Sequence, residues 1–184
     1  MEKTMRLIIV MMFALVVLGA CFFIPSRRIK DGQAGTLFSE TKALDRYTKI
    51  DFEGGGNIVL IQGDSHSLKI EASQSVLEKI VVKQDGETLQ VGFTGKLWQL
   101  STIDELTFIF TFESLSEFDL EGGATIQAEG LTSDALELDF EGGFSADLGL
   151  LDLQTLNVSI EGGGKFSEKG QVNTQNIKIA GAGT

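Results

Sequence analysis

Apolar and polar residues alternate along the chain from residue 47 onward. Ile50 and Phe52, for example, are separated and followed by acidic residues, and this period of two is typical of a strand with one buried face. The pattern predicts strands at 50–53, 58–61, 68–71, 80–82, 89–93 and 106–112. Glycines predict turns at 54–56 and 85–86. No segment after Pro25 has a convincing apolar period of 3.6 residues, so the folded part is predicted to be all-β.

A short motif repeats in the second half of the chain. Its first copy runs from Phe118 to Gly123 (FDLEGG), and its counterparts occupy 138–143, 158–163 and, in altered form, 177–181. An earlier copy occupies 50–55. The glutamates of the three regular copies are 20 residues apart, and self-similarity at a fixed period marks repeat architectures. We therefore expect a parallel β-helix with one copy per coil, in preference to an antiparallel sandwich whose hairpins happen to repeat.

Stacked copies would place like residues above one another. Two inward ladders are predicted, one of Phe118, Leu138, Val158 and Ile177, the other of Leu120, Phe140, Ile160 and Ile179. Two outward acidic columns are predicted, one of Glu121, Glu141 and Glu161, the other of Asp119 and Asp139. The last copy carries Lys178 and Ala180 instead, and its open coil would expose strand edges that favour self-association.

The acidic columns have two interpretations. They form a solvated anionic face, or they bind Ca²⁺ through Asp119, Glu121, Asp139, Glu141 and Glu161, because calcium takes clustered carboxylate oxygens. The Gly-Gly corners lack the dense Asp and Asn spacing of calcium-repeat loops. The solvated face is therefore the preferred interpretation, and no cofactor is expected.

The N-terminal residues predict export and attachment to a membrane. An unbroken apolar run occupies 7–24, after Lys3 and Arg6 and before Pro25. Residues 18–21 (LGAC) match a lipobox, in which Cys21 would be lipidated after cleavage of a signal peptide. The same 18 apolar residues are long enough to cross a bilayer as an uncleaved anchor. Both interpretations remain open, and both place the rest of the chain outside the cytoplasm.

These features divide the chain into three parts. Residues 1–25 are the signal peptide or anchor, residues 26–46 are a polar tether, and residues 47–184 are the folded domain.

The excess of acidic residues limits the classes of partner that the folded domain is expected to bind. After Lys30 the chain has 10 basic and 25 acidic residues, and none of the residues between Lys96 and Lys165 is basic. Binding to nucleic acid is therefore not expected, because phosphates require a cationic surface. Cys21 is the only cysteine, which excludes an internal disulfide.

Little in the sequence predicts catalysis. His66 is the only histidine and lies in a serine-rich turn that lacks the glycine elbow of a hydrolase. The Glu-Gly-Gly corners precede no helix, which argues against a phosphate-binding loop. We therefore expect that the protein is not an enzyme.

The chain resembles a known family of bacterial surface proteins. The residues that carry the resemblance are the strand 50–52 leading to 59–64, the segments 68–71 and 85–91, and the glycine-rich copies at 120–124 and 179–183. Together with the lipobox they are similar to proteins that carry the head GIN domain, described as auto-transporter adhesins. The resemblance covers residues 47–184. It implies a right-handed β-helix and an extracytoplasmic location, and it provides no catalytic residues.

The predicted function is that of a membrane-tethered adhesion, binding or structural module of the cell envelope, with a surface protein or glycan as ligand. An alternative from another class is a carbohydrate-binding or carbohydrate-active protein. Its groove would lie near residues 93–103, where Trp98 falls in the least regular segment of the chain.

Overall fold

The computed structural model describes residues 36–95 and 105–183, and nearly all of them are in strands. The elements in chain order are β1 (Leu37–Ala43), β2 (Lys49–Gln62), β3 (Ser67–Ser73), α1 (Gln74–Leu77), β4 (Ile80–Asp85), β5 (Thr88–Phe93), β6 (Thr107–Phe112), β7 (Glu117–Ala128) and β8 (Gly130–Gly183). The one-turn helix α1 occupies part of the stretch just before the strand predicted at 80–82. The all-β class predicted from the alternation is correct.

The predicted architecture, a right-handed parallel β-helix, is wrong. The strands form one curled mixed sheet, a half-barrel, in the order β1-β3-β6-β2-β5-β4, with β7 and β8 continuing from β2. The pairs β1–β3, β3–β6 and β4–β5 are antiparallel, whereas β2 pairs in parallel with β5, β6 and β7. Only two residues, Gly86 and Glu87, connect β4 to β5. Such a short connection permits only antiparallel pairing, which is incompatible with a purely parallel helix.

The tether predicted at 26–46 extends too far at its C-terminal end. Residues 37–43 form strand β1, which pairs with β3 from Leu37↔Ser73 to Ala43↔Ser67. Nearly every residue of β1 is exposed. Strand β1 lies at the edge of the sheet, where backbone hydrogen bonds to β3 keep it in place although it buries little apolar surface. This is why its sequence lacks the apolar alternation of the inner strands.

The repeat copies do stack in register within this sheet. Phe118 pairs with Leu138 and Leu120 pairs with Phe140, as the first steps of the predicted ladders require. The earlier copy joins the same stack, because Ile50 pairs with Phe118 across β2 and β7. The inward residues of these copies are buried in the core.

The glycines of the motif lie inside strands rather than in turns. Strand β2 runs without interruption through Gly54–Gly56, which corrects the turn predicted there. Gly122 has φ +133°, and a Cβ atom on it would lie 2.0 Å from the carbonyl oxygen of Gly54. Gly142 and Gly162 repeat this arrangement in the next copies. The absence of a side chain lets successive backbones pack against each other where the sheet bends.

Aromatic residues fill the centre of the half-barrel. Phe52 packs edge-on against Phe108 at 4.9 Å between ring centroids, and Phe140 packs in the same way against Phe144 at 4.8 Å. Tyr47 is buried, and its hydroxyl donates to the carbonyl of Thr111 at 2.8 Å. Burial raises the pKa of this phenol, so it stays protonated and remains a donor.

Candidate functional site

A groove of about 840 Å³ lies on the sheet at the C-terminal ends of β2 and β7 and at the beginning of β8. The groove is lined by residues 59–62 of β2, by residues 127–130, by Asp147, Gly149 and Leu150, and by Lys169. The segments 127–130 and 147–150 are equivalent positions of neighbouring copies, 20 residues apart. The groove is therefore built by the repeat itself and runs across the stacked copies.

Exposed apolar side chains characterise this groove. Leu150 is 65% exposed and Ile61 is 44% exposed, whereas most large apolar residues of the described chain are buried. The rim carries the carboxylates of Glu129 and Asp147 and the ammonium group of Lys169. A site of this composition can bind a ligand that presents an apolar group to the wall of the groove and hydrogen-bond donors to the carboxylates of its rim.

Backbone geometry holds Leu150 in its exposed position. The preceding Gly149 has φ +63°, and a Cβ atom there would lie 2.5 Å from the carbonyl oxygen of Glu129. The amide of Gly149 donates to Oδ1 of Asp147 at 3.2 Å, and the amide of Leu150 donates to Glu129 at 3.3 Å. The corner is thus fixed by two hydrogen bonds and by a glycine conformation that other residues rarely adopt.

The amide of Gln62 fixes the opposite wall. Its Oε1 accepts from the backbone amide of Thr132 at 2.8 Å, and its Nε2 donates to the carbonyl of Thr132 at 2.9 Å. Nε2 also donates to the carbonyl of Glu113 at 2.8 Å. The side-chain amide of Gln62 therefore makes the pair of hydrogen bonds that a backbone peptide group of a neighbouring strand would make. It joins the end of β2 to the start of β8.

The predicted acidic columns form in part. Asp119 lies between Asp51 and Asp139 in the strand register, and Glu121 lies between Glu53 and Glu141. Desolvation raises the pKa of Asp119 to about 6, and the negative charges of Glu117, Asp139 and Asp51 act in the same direction. On the same column Oδ1 of Asp139 is buried and accepts no hydrogen bond.

The calcium hypothesis receives no support from this geometry. Within residues 36–95 and 105–183, no group of three or more His, Cys, Asp and Glu side chains is arranged to hold a metal ion. The carboxylates of the columns stand one above another on parallel strands, so they form rows rather than a cage around a common centre.

His66 lies away from the groove. Its ring packs edge-on against Tyr47 with 5.4 Å between centroids, and its buried Nε2 has no hydrogen-bond partner. A catalytic histidine requires a partner that orients it and a nucleophile within hydrogen-bond reach. In the structure His66 is a packing partner of Tyr47.

Three predicted features lie outside the described residues. These are the lipidation site Cys21 with the anchor at 1–25, Trp98 with most of the groove at 93–103, and the terminal Thr184. Of the predicted sugar-binding groove, Phe93 is described, and it packs edge-on against Phe108 at 6.1 Å. No helix in the described residues is long and apolar enough to cross a bilayer.

The groove at Ile61 and Leu150 was not predicted from the sequence. One signal for it was present, since three leucines surround Gly149 in the segment 148–151. Successive residues of a strand face opposite sides of the sheet, so the three leucines cannot all face the core. At least one of them is therefore expected to be exposed. The assembly of this corner with β2 follows from pairing between distant strands, which alternation does not specify.

The described residues thus form an all-β scaffold with a surface groove. The family model of the putative auto-transporter adhesins, head GIN domain, matches residues 46–184. The chain belongs to this family, which confirms the resemblance noted in the sequence. A search of curated protein sequences finds no match.

Solved structures of two putative adhesins and of a putative lipid binding protein share the fold. A putative adhesin from Parabacteroides distasonis is 16% identical, with a TM-score of 0.58 over 81% of this chain and 72% of that chain. A putative adhesin from Bacteroides fragilis is 16% identical, with a TM-score of 0.53 over 80% and 95% of the two chains. A protein from Parabacteroides distasonis described as a putative lipid binding protein is 18% identical, with a TM-score of 0.61 over 85% and 75%. At these identities the likeness is one of fold.

Proposed function

We propose that this protein is a cell-surface adhesion module that binds an extended segment of another surface protein in the groove between Ile61 and Leu150. Membership of the adhesin family supports the class of function. The observation that carries the site is Leu150, which is 65% exposed on a corner fixed by Gly149 and Asp147. Because the backbone of this corner is already fixed, binding costs little backbone conformational entropy there, and burial of the Leu150 side chain contributes efficiently to affinity.

The composition of the groove favours a protein ligand over a glycan. Its described lining residues are aliphatic, polar or charged, and none of them is aromatic. Ile61 and Leu150 suit an apolar side chain of a peptide, and the rim carboxylates of Glu129 and Asp147 suit basic residues beside it. On this proposal the protein acts by binding and not by catalysis.

Attachment to the membrane is the second part of the proposal. The apolar run at 7–24 and the lipobox ending at Cys21 precede β1 by a short polar segment, which would hold the domain close to the bilayer. The intact mass of protein extracted from membranes tests this step. Loss of residues 1–20 with acyl chains on Cys21 is expected, whereas an unprocessed chain would support the transmembrane alternative.

The groove is tested by comparing two substitutions of exposed apolar residues. Immobilised protein is screened in parallel against a displayed peptide library and a glycan array, with the variants Leu150→Ser and Phe38→Ser. Phe38 is 43% exposed on β1 and does not line the groove. We expect selected peptides whose binding falls about tenfold or more in Leu150→Ser and is unchanged in Phe38→Ser.

Either of two results would contradict the assignment. Peptides that bind Leu150→Ser as well as the unmodified protein would show that the groove is not the site. Glycan binding that persists in Leu150→Ser, with no peptide selected, would instead favour the carbohydrate-binding alternative.

A further inference from the structure

Three exposed side chains of the groove lie on adjacent segments of the sheet. Continuing the parallel register of β2 and β7 by one residue makes Ile61 and Glu129 neighbours. The backbone amide of Leu150 donates to the carbonyl of Glu129 at 3.3 Å, which places the next segment directly beside it. The side chains of Ile61, Glu129 and Leu150 therefore follow one another across the sheet, and we call them the groove row.

Described segments flank the groove row on both sides. On one side, Ile61 pairs with Thr111 of β6. On the other side, a Cβ atom on Gly170 would lie 2.1 Å from the carbonyl oxygen of residue 151, so the preceding residue, Lys169, is the neighbour of Leu150. The groove row therefore lies in the interior of the sheet, and its order is set by pairing within the described residues.

Glycines leave space beside two members of the groove row. A Cβ atom on Gly149 would lie 2.5 Å from the carbonyl oxygen of Glu129, and a Cβ atom on Gly130 would lie 2.7 Å from the carbonyl oxygen of Leu150. Neither position can carry a side chain unless the backbone moves. A ligand can therefore approach the backbone next to both the carboxylate and the exposed leucine.

The groove row alternates between apolar and acidic side chains. Ile61 is 44% exposed and Leu150 is 65% exposed. Glu129 between them is exposed, and no ion pair within residues 36–95 and 105–183 involves it. Lys169, on the far side of Leu150, disfavours a basic ligand group there. The favourable place for a basic group is therefore between the two apolar side chains.

Strand geometry sets the distance between the two apolar side chains. Ile61 and Leu150 are two strand spacings apart across the sheet and one residue apart along it, which separates their Cα atoms by about 10 Å. An extended peptide covers this distance in three residues of about 3.3 Å each. Residues i and i+3 face the same side in a polyproline II segment, which has three residues per turn, but opposite sides in a β-strand.

We propose that the groove selects a polyproline II segment with the pattern apolar-x-x-apolar, in which a basic residue at a middle position pairs with Glu129. The inference rests on the function proposed above and specifies the class of peptide that this groove takes. Lys and Arg are long and flexible enough to reach the carboxylate from either middle position. A polyproline II segment is already extended before it binds, so it loses less conformational entropy than a flexible chain.

Selection from designed peptide libraries tests the spacing. The full chain, immobilised in detergent, is screened against displayed peptides with the cores Leu-x-x-Leu, Leu-x-Leu and Leu-x-x-x-Leu, in which x is randomised. We expect the first core to be enriched about tenfold or more over the other two, with Lys or Arg at a middle position. The variants Ile61→Ser and Leu150→Ser should each abolish the preference for this core.

Charge reversal at Glu129 tests the middle position. Peptides selected by the unmodified protein should bind about threefold more weakly to Glu129→Gln and about tenfold more weakly to Glu129→Lys, and the difference should shrink at high salt. A new selection on Glu129→Lys should enrich Asp and Glu at the middle positions. Glu141→Lys changes an exposed carboxylate outside the groove and is the matched control. Urea unfolding verifies that each variant is folded.

The possible outcomes separate this inference from the proposed function. Peptides that require Leu150 but show no preference for Leu-x-x-Leu, or whose basic residues are selected equally by Glu129→Lys, would overturn the inference and leave the groove as the binding site. Equal losses of affinity in Glu129→Lys and Glu141→Lys would also overturn it, since they would reflect the charge of the whole sheet. A screen that yields no peptide dependent on Leu150 would overturn both proposals.

Discussion

The carboxylate column at Asp119 makes the stability of the fold depend on pH in a defined direction. Asp119 is paired in register with Asp51 and Asp139, and its pKa is raised to about 6 by desolvation and by the neighbouring negative charges. A carboxyl with a raised pKa binds its proton more tightly in the folded state than in the unfolded state. Stability therefore falls as pH rises from about 4 to about 6, and the loss is complete above that range.

The size of this loss follows from the pKa difference. A shift from 3.8 to about 6 corresponds to an upper limit of about 3 kcal/mol. Asp119 is only partly buried, so solvent screening reduces the figure to about 1 kcal/mol. The substitution Asp119→Asn removes the charge and supplies an amide that can donate to the unpartnered Oδ1 of Asp139.

Urea unfolding at two pH values tests this reasoning. At pH 7.5 we expect Asp119→Asn to be more stable than the unmodified protein by about 1 kcal/mol, and at pH 4 we expect the difference to be close to zero. Asp152→Asn, which removes an exposed carboxylate, is the matched control and should change stability by less than about 0.5 kcal/mol at either pH. An equal effect of Asp119→Asn at both pH values, or a loss of stability at pH 7.5, would refute the argument.

Three further predictions concern the scaffold, each measured by urea unfolding. Gly122→Ala, which places a Cβ against backbone at 2.0 Å, should cost more than about 3 kcal/mol, whereas Gly86→Ala has a positive φ but open space and should cost only about 1 kcal/mol. Equal losses for these two would show that close packing is not the reason for Gly122. Phe140→Ala empties a fully buried site and should cost about 3–5 kcal/mol, against less than about 1 kcal/mol for Phe38→Ala on the exposed strand β1. Gln62→Glu keeps the shape but loses both Nε2 donations, and it should cost about 1–2 kcal/mol; no change would mean that the amide does not join β2 to β8.

Local chemistry made the all-β class and the stacking of copies predictable. Alternation identifies a strand from its own residues, and the identity of the motif at 118–123 and 138–143 specifies which residues become neighbours. This is why the pairs Phe118↔Leu138 and Leu120↔Phe140 could be predicted and are confirmed. The glycines were recognised as special positions, although the structure places them within strands, where a bend requires close backbone contact.

The N-terminal half of the domain shows where such reasoning fails. Strands β3 and β6 alternate as clearly as the repeat copies, but they contain no repeated motif that identifies a partner. Their antiparallel pairing, from Ser67↔Thr111 to Glu71↔Thr107, depends on the total burial gained when the sheet curls into a half-barrel. Extending the repeat to this half therefore predicted a parallel helix where the structure has a mixed sheet.

The sequence by itself determined most of the strand-forming segments, the register of the first repeated copies and the family to which the chain belongs, because each depends on local pattern or on repeated residues. Only the tertiary structure decided the order of the nonrepeating strands, the groove beside Leu150 and the perturbed carboxyl of Asp119. These depend on which distant surfaces meet, since exposure, desolvation and charge proximity are properties of the assembled sheet and of no single segment.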